Sequence, residues 1–392
     1  MKRTTLVLYT VLSLTAPATA LTFDEAVNFI SGKSTAMIVA NAEAEATSVE
    51  NSMAGNLADP EIEGEYLLGN HREDNRWSAG VSQSFDWPGV YSSRRRAAEA
   101  STRAARLEAG GVFAETQTNV RLALTDYINA CRNIDILDDV HVSLDEIMET
   151  MKQHKGDEMS VLDFNKLKIE HGVLMSTLLT WEDRRQEAIA RLKEIAPTED
   201  IAGLLSSLDP VYPIYTLKAP ADYVSALGND NRLKALDAQV EAARLEADVA
   251  RKERLPGFSI GYKHAYEEAT HFNGFTLGLT LPVFSTRNKA AASTARRFAA
   301  NTALMSMQST LEAQITSTCM RAKRLKETTN ELAEVFETHD NIALLRKALD
   351  GGQISTLQFL TEVNYILQAQ LDYLDLVYQY NLAMATLSRY DQ

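Results

Sequence analysis

Glu268 and His271 stand at Glu-x-x-His spacing, the pattern with which helical bundles hold paired iron or manganese ions. On a helix that spacing puts carboxylate and imidazole on one face. Here it falls in a stretch that reads as a hairpin loop, so no di-metal site is expected. The seven histidines are otherwise scattered. Cys131 and Cys319 lie in separate long segments, without the paired spacing of a zinc site or a disulfide framework. A single bridge between them stays open on spacing alone. No phosphate-binding loop, dinucleotide fingerprint or Gly-x-Ser-x-Gly elbow occurs. Arg94-Arg95-Arg96 reads as a solvated or headgroup-facing helix start rather than a ligand site. No catalytic residue, metal or cofactor is expected, and the informative residues are those that build an architecture.

Lys2 and Arg3 precede an apolar run, Leu6 to Leu14, and then Ala18-Thr19-Ala20. This is the layout of a cleaved secretory signal over residues 1–20, with Leu21 as the mature start. No later segment has the 18 or so consecutive apolar residues of a membrane helix. An exported chain of this kind that enters a membrane must do so as a β-barrel. The net charge of −14 argues against a nucleic-acid partner.

Proline and glycine are unevenly placed. No proline occurs between Pro88 and Pro197 or after Pro282, and no glycine occurs between Gly278 and Gly351. The segments Val90–Lys155, interrupted only by Gly110-Gly111, and Phe284–Asp350 are rich in helix formers. Each runs for roughly 65 residues, a length that implies coiled coil rather than a compact domain. Ile342, Leu345 and Leu349, then Leu357, Leu360, Val363 and Leu367, recur at three- and four-residue steps. Residues 197–221, with Pro197, Pro210, Pro213 and Pro220, read as a linker carrying one short helix at Ile201–Leu208.

Two stretches alternate with period two instead. In the first, over residues 61–87, Ile62, Gly64, Tyr66 and Leu68 oppose Glu61, Glu63 and Glu65. Past a polar turn, Trp77, Ala79, Val81, Gln83 and Phe85 alternate against Ser78, Gly80, Ser82 and Ser84. In the second, over 258–284, Phe258, Ile260, Tyr262, His264 and Tyr266 precede an expected loop, Glu267 to Gly274, and then Phe275, Leu277, Leu279, Leu281 and Val283. These are hairpins with strands of about nine or ten residues, the length of outer-membrane strands. Tyr66, Trp77, Trp87 and Tyr262 suit interfacial aromatic girdles. Four strands cannot close a barrel, so in a membrane several chains must share one, and three would supply twelve strands.

The chain also echoes itself at an interval of about 195 residues, far beyond a solenoid period. Gly156, Met159, Ser160, Leu162 and Phe164 are matched by Gly351, Ile354, Ser355, Leu357 and Phe359. The reading is of two helix–hairpin–helix–turn–helix halves, 21–196 and 222–392, with turns at about 155–162 and 350–357.

The order of these features resembles the TolC-like outer membrane efflux proteins. The resemblance rests on Leu21-Thr22-Phe23-Asp24-Glu25-Ala26-Val27, on Gln83-Ser84-Phe85-Asp86-Trp87-Pro88-Gly89, on Leu279-Thr280-Leu281-Pro282-Val283-Phe284, and on the two Gly-x-x-x-Ser-x-Leu-x-Phe turns. It implies a homotrimer with a twelve-stranded barrel in the outer membrane lipid of a Gram-negative cell, and a long helical barrel crossing the periplasm. It further implies a passive exit duct of a tripartite efflux pump or type I secretion system. The partners would be a periplasmic adaptor protein and an inner-membrane transporter, the resistance-nodulation-division type among the candidates. On the family pattern, Gly156, Ser160, Leu162, Gly351, Gly352, Ser355 and Leu357 form the tunnel tip where the adaptor docks. The aspartates that narrow the tunnel in the best-known member align with Gln358 and Thr361, which leaves Asp163 as the nearest acidic constriction residue. The absence of a tail after Gln392 resembles the branch serving heavy-metal and cation efflux. The rival readings are a periplasmic or surface coiled-coil protein with soluble hairpins, and an unpartnered porin-like channel.

Overall fold

The computed structural model describes residues 21–391 apart from 71–74, 154–160, 269 and 338–340, and the side chains of 153, 162 and 337 are likewise left aside. The expected signal segment, Gly156, Ser160 and the side chain of Leu162 therefore lie outside the described residues. The chain is mainly helical with one small sheet. In order, α1 (Phe23–Gly32) and α2 (Thr35–Ser52) lead into β1 (Glu61–Leu67) and β2 (Arg76–Phe85). These are followed by α3 (Pro88–Gln153), α4 (Val161–Ile195), α5 (Ile201–Ser206) and α6 (Pro220–Ser225). Then come α7 (Asn231–Lys252), β3 (Gly257–Glu267), β4 (Thr270–Thr280), α8 (Lys289–Glu337), α9 (Asn341–Asp350) and α10 (Thr356–Leu387).

Helix α3 is 66 residues long, about 100 Å at 1.5 Å per residue. Pro88 at its first position needs no backbone partner there and presets a helical φ. Helix α3 runs straight through Gly110-Gly111, as the long helical stretch read from the sequence requires. The glycines serve packing, because a Cβ on Gly110 would lie 3.2 Å from Nδ2 of Asn231, at the start of α7. That amide donates to the Gly110 carbonyl at 3.3 Å.

The long helices form a wall. Near the sheet α2, α3, α7 and α8 pack side by side in that order, and farther away the order is α4, α3, α10, α8. Helices α2 and α4 thus share one edge of the wall and α8 forms the other. A wall one helix thick buries little, and its residues show how. Helix α7 buries Ala235, Ala238, Ala242, Ala247 and Ala250, small side chains that let helices approach closely. Away from the sheet the buried residues are larger: Leu137, Leu144, Leu167, Leu174, Phe359 and Val363 form one cluster of α3, α4 and α10. Two smaller cores brace the middle. One joins α1 (Phe23, Val27, Ile30) to α3, α4 and α5, and the other seats Tyr223 against Ile315 and Met384.

The two hairpins make one sheet in the order β1-β2-β3-β4, all antiparallel. Asn75 closes the first, accepting from the Gly69 amide at 3.1 Å and donating to the Tyr66 hydroxyl at 3.1 Å. The second is tighter than expected. Pairing persists through Tyr266 opposite His271 and Glu267 opposite Thr270, where the sequence suggested a loop from Glu267 to Gly274. The polar residues there keep the period-two alternation, and their rings stack across the strands: His264 and His271 lie 5.2 Å apart at 29°. At the other end β4 stops at Thr280 rather than Val283, because Pro282 cannot donate to a ladder.

Candidate functional site: the sheet face and the helical tip

Register decides what the sheet presents. Ile62 faces Val81, Val81 faces Tyr262, and Tyr262 faces Phe275. One row away Gln83, Ile260 and Leu277 align, and beyond them Phe85, Phe258 and Leu279. Side chains alternate in strict period two, so all four strands place these residues on a common face. This face is apolar and uncovered: Phe275 is 85% exposed and Leu277 82%. The opposite face carries Glu63, Glu65, Ser78, Ser82, Lys263 and Thr276, with Lys263 and Glu65 ion-paired at 3.6 Å. Both outer edges, β1 and β4, lack a strand partner among the described residues.

The expected interface aromatics fall at different depths. Tyr66 and Trp77 are directly opposed at the far end of the sheet. Trp77 is joined there by His264, its ring 5.3 Å away, and by Tyr266. Trp87 lies at the helix end, where Leu281, Val283 and Phe284 are also exposed. Tyr262 sits in a middle row instead, and its hydroxyl donates 2.7 Å to Asn273. From the Trp77 row to the Phe85 row the sheet spans roughly 26 Å along the strands, or about 20 Å after a barrel's tilt, close to the apolar band of outer-membrane barrels. Directly below, Arg94 bridges Asp86 at 2.6 Å and Glu253 at 2.8 Å, and Lys289 reaches Glu253 at 3.1 Å. Residues leaving both hairpins are thereby tied into one network. Glu253 is partly buried, but the hydrogen bonds from Arg94 and Lys289 outweigh that burial and hold its carboxyl below the usual range.

At the opposite end, α9 stops in a Schellman turn. Gly352 adopts φ +66°, its amide donates to Leu349, and the Gln353 amide donates to Ala348, each at 2.9 Å. Only glycine takes this left-handed conformation without strain. Ser355 then caps α10, accepting from the Gln358 amide at 3.2 Å, while the Gln358 side chain accepts from the Ser355 amide at 3.0 Å. Gln358, considered above as a constriction residue, therefore spends its side chain on a capping box. Thr361 is also engaged locally, donating to the Leu357 carbonyl at 2.9 Å. Ile354 packs on the apolar cluster and Phe359 is fully buried in it, whereas Leu357, Gln358 and Thr361 are exposed. Asp163 stands in the first turn of α4, where a carboxylate complements the helix dipole.

The two tip helix pairs are joined. Arg346 of α9 bonds the Ser143 carbonyl at 3.1 Å and Glu146 at 3.2 Å on α3. Asn364 of α10 donates to Glu170 of α4 at 2.8 Å. Higher up, Asp126 of α3 accepts from Arg191 of α4 at 2.8 Å and from Tyr378 of α10 at 2.7 Å.

Glu268 and His271 do not meet as a metal pair. Glu268 turns the hairpin at φ +50° and lies 3.8 Å from Arg76, while His271 bonds His264 at 3.2 Å. A different cluster comes together instead: His141 and Asp145 on α3 with His171 on α4. Sequence spacing holds its signal, since His141 and Asp145 are one helical turn apart and His171 mirrors His141 about Gly156. That signal becomes legible only once α3 and α4 are known to pair antiparallel. Cys131 and Cys319 are both free and buried.

No family model and no curated protein matches the sequence. Solved structures do. A membrane protein from Pseudomonas aeruginosa superposes with a TM-score of 0.78 at 16% identity, covering 94% of this chain and 89% of the other. The Campylobacter jejuni CmeC outer membrane channel gives 0.74 at 13% identity, over 94% of this chain and 84% of the other. The Neisseria gonorrhoeae MtrE outer membrane channel, in its open state, gives 0.74 at 13% identity over 95% and 88%. The fold is that of outer membrane channels. Its mainly helical build with a small sheet is what the resemblance to TolC-like proteins implied, and identities this low speak for the fold alone. Within this channel fold, the apolar sheet face and the helical tip lie at opposite ends of the helical wall.

Proposed function

We propose that the chain is one third of an outer-membrane exit duct. Three copies would close a twelve-stranded barrel in lipid and a helical tunnel below it, each half of a duplicated chain giving one hairpin and one tip. The duct would conduct passively, and energy would come from an inner-membrane transporter linked by a periplasmic adaptor. The observation that carries this reading is the common apolar face of four strands whose two edges are open. Lipid does not tolerate an open edge, so an exported chain with this face requires neighbours. The wall supports the same closure. Its edges expose Ile38 and Val49 on α2 and Met53 just after it, Ile169, Val173 and Leu179 on α4, and Phe298, Met305 and Met320 on α8. Two different edges meeting head to tail generate a ring. The uncovered face weighs against a soluble coiled-coil protein, in which hairpins would not be expected to leave such a surface bare.

At the tip, Leu357 together with the turns at Gly156–Leu162 and Gly351–Ser355 is proposed to receive the adaptor, and Asp163 to supply the nearest negative charge. Cysteines scanned along β1 and β4, with Cys131 and Cys319 replaced by serine, test the ring. In isolated outer membranes they should cross-link between chains and give products ending at three. A β1–β2 control pair that cross-links while every β1–β4 pair fails would refute closure.

A further inference from the structure

The helix pair α3–α4 carries a polar layer in an apolar seam. On α3 the seam positions Ile134, Leu137, His141, Leu144, Met148 and Met151 step by three or four, as do Leu167, His171, Leu174 and Leu178 on α4. Every one of these except the two histidines belongs to, or packs against, a single apolar cluster. The histidines meet beside it with tilted rings. His141 Nδ1 and His171 Nε2 lie 3.1 Å apart, with ring centroids 5.0 Å apart and planes at 37°. Asp145, one turn beyond His141, completes the group, its Oδ1 at 3.2 Å from His171 Nε2 and its Oδ2 at 3.5 Å from His141 Nε2.

From these distances we propose a binding site for a divalent first-row transition ion, zinc being the best fit, that cross-braces α3 to α4. Bonds of 2.0–2.1 Å in tetrahedral geometry place ligand atoms about 3.3 Å apart. The separations of 3.1 and 3.2 Å around His171 Nε2 sit close to that value. One donor atom from each of the three residues can be chosen with all of them within 4.8 Å of one another. Two imidazoles and one carboxylate suit zinc, nickel or copper, whereas calcium and magnesium require oxygen-rich shells. The histidines are 27% and 25% exposed and Asp145 50%. An ion can therefore reach the site from solvent and keep a water as its fourth ligand. The site needs no duct around it: its ligands come from one chain and two helices. It lies roughly 15 Å from the tip-ward ends of both helices, Gln153 of α3 and Val161 of α4, at 1.5 Å per residue, so an ion there would stiffen the arm that they form. The second imidazole pair, His264 and His271, has Asn273 beside it rather than a carboxylate, and it serves as the internal control.

The test uses the full-length mature protein, purified without a histidine tag, stripped with chelator and titrated with Zn2+ by calorimetry. The wild type should bind one ion per chain at the seam, and Co2+ should give the intense visible bands of a tetrahedral site. The pair His141→Leu with His171→Leu, which continues the apolar seam, should fold with unchanged circular dichroism and lose that binding. Should this pair fail to fold, His141→Gln with His171→Gln gives the same reading. Asp145→Asn should weaken binding by about tenfold or more. At a hundredfold excess over Kd, Zn2+ should raise Tm by roughly 3 °C in the wild type and not in the leucine pair. Absent binding in the wild type, undiminished binding in the leucine pair, or loss only with His264→Ala and His271→Ala would overturn the proposal.

Discussion

The sheet and the tip-ward helices use the same apolar residue types to opposite ends. On the sheet, Phe275 and Leu277 stand almost fully exposed, whereas at the tip Phe359 and Leu167 are fully buried. The seam of α3, α4 and α10 finds its partners within the chain, so its hydrophobic stabilisation is complete in a single copy. Among the described residues, the face of the sheet finds none. An exposed apolar face this continuous marks an interaction surface, and the period-two register shows that it is specified residue by residue.

Phe359→Ala probes the buried side, and the largest loss is expected there. Emptying a fully buried aromatic site should cost about 3–5 kcal/mol, read as a lower melting temperature by circular dichroism, in detergent or out of it. Leu277→Arg probes the other side. It should leave secondary structure unchanged but cost about 2–4 kcal/mol per chain in lipid, read as loss of protein from the outer-membrane fraction. Thr276→Arg, one residue away on the polar face, should remain in that fraction. Equal behaviour of the two arginine variants would break the contrast between the faces.

Smaller effects belong to the tip. Gly352→Val forces a β-branched residue to φ +66° and should cost roughly 1–2 kcal/mol, with Gly352→Asn milder. Export assays should show weaker pump assembly for the valine variant. Ser355→Ala removes one half of the capping box and should cost about 1 kcal/mol, visible as faster amide exchange in the first turn of α10.

The smallest expected effect is one of pH. Asp230 caps α7 through the Arg232 amide at 2.8 Å. Burial alone would raise its pKa, but the hydrogen bond from Arg232 and the charge of Arg389 outweigh burial and hold it below the usual aspartate range. A depressed carboxyl contributes stability that is present above its unfolded pKa and is lost as pH falls through the folded value. Thermal melts should therefore weaken below about pH 4, and Asp230→Asn should flatten that dependence.

Much of this was legible from residue spacing. Period-two alternation located all four strands, and the absence of glycine and proline located the long helices. Spacing missed what depends on partners. The role of Gly110-Gly111 stayed hidden because the approach of Asn231 is invisible in sequence, and His271 looked like loop because its stacking partner, His264, lies on another strand. At the tip, alignment with the family marked Gln358 as a pore residue, while its reciprocal bond with Ser355 commits it to the helix start. The pairing of His141 with His171 required the antiparallel register of two helices, which no single segment contains.

The claim that the apolar face belongs in lipid within a ring of three is tested most directly by native mass spectrometry of the mature protein extracted from outer membranes. The account predicts a complex of three chains that needs detergent to stay in solution. A monomer that remains soluble and monodisperse without detergent would contradict it.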